Sequence, residues 1–428
     1  MNRDFSALCP ALVWKHFAAI CNIPHPSHHE EKIRQYVVDF AEAQGLEYKV
    51  DEANNVYVRK PATAGMENRK GIVIQAHLDM VPQKNNDKVF DFENDPIEAY
   101  IDGEWVTANG TTLGADNGIG AAAILAVLED KTLVHGEVEA LFTATEETGM
   151  DGAFGLKGGH SGIQIGYQRA NANRELFRLL NHTACDVRLA SVDGGGLRNA
   201  IPREATAVVL VSEADAAAFE AEVAQAEKTL VAEFANIEDS ISVKCTKCQM
   251  PTTVIPAQVA EKLAKAVIGA PNGVVKMSVE MEGLVQTSSN LARVVSDGSV
   301  VKIQCLLRSS VNSEKHALGE AIKGVFELAG ATVELSGDYD GWKPNMESPI
   351  LHTMLASYES LYGVKPAVMA IHAGLECGII GGKYEGLDMI SFGPTICFPH
   401  SPDEKVEIAS VEKFYSFLLH TLANAPLK

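Results

Sequence analysis

No uninterrupted run of about 18 apolar residues occurs in the 428-residue chain, so no membrane-spanning helix is expected. The N-terminal stretch PALVWKHFAAICNIP is amphipathic and is broken by Lys15 and His16, unlike the apolar centre of a secretory signal, and the expected compartment is the cytoplasm. Basic residues are in short supply. Against 56 Asp and Glu stand 36 Lys and Arg, a formal charge of -20. That balance lacks the positive footprint that nucleic acid or an anionic membrane requires of a partner. The eight cysteines are scattered, and only Cys245 and Cys248 form a C-x-x-C, with no second pair or histidine set to complete a zinc site. Reduced thiols are expected, with no disulfide framework. The Gly-rich stretch NGTTLGADNGIG lacks the lysine of a phosphate-binding loop and has no strand leading straight into it. Around Ser161, GGHSG does not meet the Gly-x-Ser-x-Gly spacing of a serine hydrolase.

What is present is ordinary for a globular protein: 46% hydrophobic and 21% charged residues, in a chain long enough for two or three domains. Ser27 and Glu30 have the spacing of a capping box before a helix with an apolar stripe at Ile33, Val37, Phe40 and Ala41, closed by Gly45. His25, His28 and His29 are then read as a solvated loop before that helix. Two strands around Asn54 and Asn55 follow, and Glu98 to Ala108 is a second hairpin turning at Asp102 and Gly103. From about Lys157 the pattern changes to two strand, strand, helix units. One is Cys185–Ala190, Ala205–Ser212 and the helix Ala214–Ala235; the other is Ala292–Asp297, Val300–Leu307 and the helix Ser313–Ala329, with a further strand at Thr332–Ser336. After Pro349 come a helix at Ile350–Tyr362, the loop HAGLECG at 372–378, a strand at Leu387–Phe392 and a last helix at Ser410–Ala423. This predicts an α/β protein, with a mixed sheet flanked by helices in residues 1–156 and 346–428, and an inserted α+β domain in 157–345.

The candidate chemistry gathers at strand ends, where open α/β sheets place their working residues. The apolar run Gly71 to Ala76 ends in His77, and alternation sets Asp79 beside it as a carboxylate able to orient a metal-bound imidazole. Asp116 opens an Ala-rich helix and reads equally well as its N-cap. The strand Val138–Thr145 runs into Glu146 and Glu147. Two adjacent carboxylates repel unless a cation lies between them or one holds a proton, which suggests one ligand and one general base. His400 sits in the loop GPTICFPHSPDE. His77, Asp116, Glu147 and His400 are ligands of the kind zinc takes, and their separations match no compact zinc finger but suit a site assembled by a sheet.

On these residues the chain resembles the co-catalytic zinc metallopeptidases that include carnosinases, carboxypeptidase G and succinyl-diaminopimelate desuccinylase. Within that family it is most similar to the bacterial cytosolic aminoacyl-histidine dipeptidases. The likeness runs through HPSHHEEKI, QAHLDMVPQKNND, GTTLGADNGIG, TEETGMDGAFGL, KGGHSG, LRNAIPREA, HAGLECG and FPHSPDE. It implies two zincs bridged by Asp116, with His77 on one and Glu147 and His400 on the other. It further implies Asp79 as the orienting carboxylate, Glu146 as general base, His160 as the group steadying the oxyanion, and Asn290 and Arg308 as substrate-binding residues. The implied fold adds an inserted lid to the zinc-binding domain. The implied substrate is a small peptide, Xaa-His such as β-alanyl-histidine, and the implied assembly is often a homodimer.

One departure stands out. The family carries a further aspartate ligand on a strand between MDGAFGL and KGGHSG, whereas here Leu156 is followed directly by Lys157. The zinc shared by His77 and Asp116 is then expected to lack its third protein ligand, and Asp151 is the nearest acidic residue to replace it. The alternative expectation is a shortened, catalytically impaired relative that binds at most one zinc and persists as a folded or oligomeric non-enzyme.

Overall fold

The computed structural model describes residues 3–428 apart from 86, 148–160, 162–164, 197, 239, 339–340, 371–375 and 385. The chain forms two compact units, one of Met1–Gly152, Met346–Ala367 and Asp388–Lys428, the other of Ala153–Asn345 and Val368–Leu387. His160 and residues 372–375 of the HAGLECG loop lie outside the described residues.

In the first unit, helices α1 (Ala11–Cys21) and α2 (Glu31–Gln44) precede strands β1 (Glu47–Val50), β2 (Val56–Lys60) and β3 (Ile72–His77). The hairpin β4 (Ala99–Asp102) and β5 (Trp105–Ala108), helix α3 (Ala115–Glu129) and strand β6 (Val138–Thr143) follow. The main sheet runs β1-β2-β6-β3, antiparallel except for β6 and β3, which are parallel. Alternation shows in β2 and β6, where every second residue is buried. Helix α3 is buried almost all round, and its alanines let it lie close against β3 and α1. Trp14, Phe17, Ile33, Phe142 and Leu125 anchor the core, each large buried side chain contributing roughly 1.5–3 kcal/mol relative to exposure.

The second unit follows the expected doubled pattern. Helix α4 (Ala172–His182) leads to strands β7 (Val187–Gly194) and β8 (Ala205–Val211), then α5 (Ala216–Glu233) and α6 (Ala257–Gly269). Strand β9 (Gly273–Met277) precedes β10 (Val285–Asp297), β11 (Val300–Ser309) and α7 (Asn312–Leu328). The antiparallel sheet runs β11-β10-β7-β8, with β9 pairing the first half of β10. Phe177, Val192, Val267, Leu291, Ile322 and Phe326 form its core. The strand expected at Thr332–Ser336 is absent. That segment is exposed except at the half-buried Val333 and pairs with no described strand.

The remaining elements are α8 (Pro349–Tyr362) in the first unit, α9 (Glu376–Lys383) in the second, then β12 (Ile396–Cys397), β13 (Lys405–Glu407) and α10 (Ile408–Ala423) in the first. Helices α8 and α10 pack together, Tyr358 meeting Phe417 edge-on with ring centroids 5.3 Å apart. The strand expected at Leu387–Phe392 is also absent. Instead of alternating in a sheet, Phe392 sets its ring against Phe414 and Phe417 of α10. Strands β12 and β13 form a hairpin that extends the β5-β4 pair into a second small sheet. Among the described residues no helix is long and apolar enough to cross a membrane. All eight cysteines are free.

Candidate metal centre

Because β3 and β6 run parallel with His77 opposite Thr143, their carboxyl ends open on the same side of the sheet. His77 is buried at the end of β3. Its Nδ1 faces the Asp79 backbone oxygen at 3.0 Å and Asp79 Oδ1 at 3.4 Å, which turns Nε2 toward the cluster.

The Asp79 carboxylate, 1% exposed, does more than orient the imidazole. Its Oδ1 accepts the backbone N–H of Glu146 at 3.0 Å, and its Oδ2 accepts the N–H of Glu147 at 3.0 Å and the Ser27 hydroxyl at 2.8 Å. Glu30 completes the grip on this turn, its Oε1 accepting from the N–H of Thr145 at 3.1 Å and of His28 at 2.9 Å. The expected capping box is therefore not formed. Helix α2 begins after Glu30 without a side-chain cap, and both its residues serve the turn beyond β6, where Thr145 has a left-handed φ of 59°. His25 is likewise not solvated but buried, its Nδ1 against the Ile23 carbonyl; His28 and His29 are exposed.

Asp116 does not cap α3. The N-cap is Gly114, whose φ of 72° turns the chain into the helix, and Asp116 itself has non-helical angles. Its two carboxylate oxygens face different imidazoles: Oδ1 is 3.4 Å from His77 Nε2 and Oδ2 is 3.5 Å from His400 Nε2. His400, on the β12–β13 hairpin, also approaches Glu147 Oε1 at 2.9 Å, and Glu146 Oε2 is 3.9 Å from His77 Nε2. Glu404, four residues beyond His400 and 2% exposed, accepts three backbone amides from the loop that carries Asp116.

The electrostatics of the cluster call for positive charge. Burial alone would lower the His400 pKa, but the Asp116 and Glu147 carboxylates outweigh it and raise it to about 10. His77 is raised well above its ordinary value against the same burial penalty, by Asp116 and Asp79. Asp116 is pulled down in turn by its two imidazoles, although burial opposes this. Burial pushes Glu404 up to about 7 despite its amide donors. Both imidazoles are thus shifted toward their charged form by the surrounding carboxylates, whose surplus negative charge a divalent cation would balance equally well.

The donor set fits a metal. His77, Asp116 and Glu147 each offer a ligand atom, and these lie within 4.8 Å of one another. Glu147 Oε1 and His400 Nε2 are buried, yet neither has an aligned hydrogen bond, an arrangement costly to keep unless a cation takes the lone pairs. His77, Asp79, Asp116, Glu146, Glu147 and His400 come together in the first unit. Asn290 and Arg308 lie in the second, buried on adjacent strands. Ser288 pairs with Arg308 and Asn290 with Leu306, so Asn290 and Arg308 are diagonal neighbours on one face of the sheet. The Asn290 amide donates to the Arg198 and Ala200 carbonyls at 3.1 and 2.7 Å. Ser27, Glu30 and Glu404 are not marked as site residues by the sequence; the only signals there are the spacing of a capping box and an acidic residue shortly after His400.

The model of Peptidase family M20/M25/M40 matches residues 73–424. The chain is 41% identical to the cytosol non-specific dipeptidase of Escherichia coli, over 99% of this chain and the whole of the relative. It is 42% identical to the aminoacylhistidine dipeptidase of Vibrio alginolyticus, whose crystal structure superposes with a TM-score of 0.85 over 99% of both chains. The aminopeptidase PepT of Bacillus cereus, 16% identical with a TM-score of 0.62 over 98% of this chain, shares the fold. The alignment to the E. coli relative extends over 483 residues against 428 here, so at least 55 of its positions have no counterpart in this chain.

Proposed function

The chain belongs to peptidase family M20/M25/M40, and from that premise we propose that it hydrolyses dipeptides, Xaa-His among them, with zinc held by His77, Asp116, Glu147 and His400. The observation that carries this reading is the division of the Asp116 carboxylate between two imidazoles, with the Glu147 carboxylate beside one of them. Bound there, zinc would act as a Lewis acid on the peptide carbonyl and lower the pKa of a water from 15.7 to about 7.

The chain's own residues do the rest. Glu146 takes the proton from the attacking water on its carboxylate and delivers it to the departing amine nitrogen. Asp79 keeps His77 in one tautomer and holds the amides of Glu146 and Glu147, so base and ligand stay in register. For substrate we assign Arg308 to the C-terminal carboxylate, since a guanidinium can grip it in two-pronged fashion, with Asn290 as its neighbour. We assign His160 to the oxyanion by family resemblance. The proposed compartment is the cytoplasm, in keeping with the name of the E. coli relative.

The shortening supports a second reading, in which the chain binds at most one zinc and turnover is impaired. Zinc per folded monomer after chelator-free purification, followed by β-alanyl-histidine hydrolysis, separates the two. Two tightly held zincs with hydrolysis that stops on chelation and returns with zinc support the dipeptidase. One zinc or none, without turnover, supports the impaired relative, and none also refutes the metal centre. Glu146→Gln should lower kcat by about 10²–10⁴ while zinc content is unchanged.

A further inference from the structure

We propose that Glu404 is a positioning residue that ties the loop bearing Asp116 to the hairpin bearing His400, and so sets the reach of the Asp116 carboxylate to the His400 imidazole. This rests on the metal centre described above. Glu404 is 2% exposed and lies in none of the proposed catalytic contacts. Its Oε2 accepts the N–H groups of Leu113 at 2.9 Å and Gly114 at 3.0 Å, and its Oε1 accepts that of Asp116 at 3.1 Å. Three amides within four residues are thereby satisfied by one side chain, at a turn where Gly114 takes a left-handed φ of 72° and backbone partners are scarce.

The other end of Glu404 is equally fixed. Its backbone oxygen accepts the Thr107 hydroxyl at 2.8 Å, its N–H donates to the Ser401 carbonyl at 3.0 Å, and the next residue, Lys405, pairs with Thr107 in the small sheet. The carboxylate therefore moves with the hairpin that carries His400. Asp116 Oδ2 reaches the His400 imidazole at 3.5 Å, a contact that slippage between loop and hairpin would undo. Two oxygens are needed, because one must meet Leu113 and Gly114 while the other meets Asp116.

Glu404→Gln tests this at constant volume. Glutamine can turn its oxygen to one end only, leaving its NH₂ against an N–H at the other. Zinc affinity, measured by competition with a chromophoric chelator, is expected to fall about 10- to 100-fold, the loss typical when a group supporting a metal ligand is removed. At saturating zinc, kcat should fall with KM little changed, the pattern of a misplaced reacting group. Leu422→Ala is the contrasting variant: it opens a cavity under α10, away from the loop and hairpin, and should lower the melting temperature while zinc affinity stays as in the wild type. Should the Gln variant not fold, Glu404→Asp, which keeps the charge but is one methylene too short to serve both ends, takes its place with the same expected loss. A Glu404 variant that melts earlier but binds zinc and turns over like the wild type overturns the proposal and makes Glu404 only a stabilising residue. A wild type that binds no zinc overturns the metal centre itself, which is a different result.

Discussion

Replacing Asp79 with asparagine tests the logic of the centre most directly, because one buried carboxylate holds four groups from three segments. In the native chain it accepts from the amides of Glu146 and Glu147 and from Ser27, and it lies 3.4 Å from His77 Nδ1. Burial raises its pKa, but His77 and these donors outweigh that and lower it from 3.8 to about 2. A folded-state value below the unfolded one stabilises the fold fully above the unfolded pKa, and the contribution is lost as pH falls through the folded pKa. A depression of this size corresponds to roughly 2 kcal/mol at pH 7, about half of it gone by pH 3. Asparagine abolishes this linkage and turns an NH₂ group toward at least one donor, a mismatch costing about 1–3 kcal/mol by itself.

The assay is urea denaturation of the metal-free protein, followed by the fluorescence of Trp14, which is fully buried in the first unit. Wild type and Asp79→Asn are compared at pH 7 and pH 3. The variant should be less stable by about 2 kcal/mol or more at pH 7, and the gap should narrow by about 1 kcal/mol at pH 3, because there the unfolded chain takes up a proton at Asp79 that the folded chain does not. A gap that is the same at both pH values, or one below about 0.5 kcal/mol at pH 7, the size of an ordinary surface change, would refute the assignment of Asp79 as an ionised hub.

Two more outcomes follow from the structure. Neighbouring carboxylates raise His400 to about 10 and His77 well above its ordinary value against the burial penalty, so metal uptake at these imidazoles is expected to release protons. Calorimetry in buffers of different ionisation enthalpy should count about two protons released per monomer, with zinc affinity rising as pH rises toward 10; a count near zero would show that the histidines are not ligands. Among the described strands β3 ends the main sheet, and Val73 on it is 49% exposed and opposite Glu139 on β6. Val73→Lys should suppress aggregation on mild heating, read by light scattering, and shift stability by no more than about 0.5 kcal/mol, since a lysine both discourages edge pairing and meets an opposite charge.

Much of the fold was legible because it rests on local pattern. The alternation in Val56–Lys60 and Val138–Thr143, the left-handed Gly45 that closes α2, and the doubled strand, strand, helix units of the second unit all emerge where periodicity and turn chemistry put them. The two failures share a cause. Thr332–Ser336 and Leu387–Phe392 have the composition of strands, but a strand exists only if another edge accepts it, and that is a property of distant chain. Phe392 found helix α10 instead.

The candidate centre divides along the same line. His77, Asp116, Glu147 and His400 were legible as ligand types at strand and helix ends, because a metal needs particular atoms and those atoms belong to few side chains. The groups that hold them in place were not, because backbone amides are everywhere and any carboxylate can accept them. Ser27 and Glu30 carry the spacing of a capping box, yet the Ser27 hydroxyl is engaged by Asp79 and the Glu30 carboxylate by the Thr145 amide. Local preference offered them a helix end worth about 1 kcal/mol. In the alternative use Glu30 satisfies the half-buried Thr145 amide at a left-handed turn and Ser27 donates to the buried Asp79 carboxylate, where leaving a buried group without a partner costs about 1–3 kcal/mol. Avoiding that greater cost decides where the two side chains go, and the need for it is invisible until β3, β6 and the loop before α2 have been brought together.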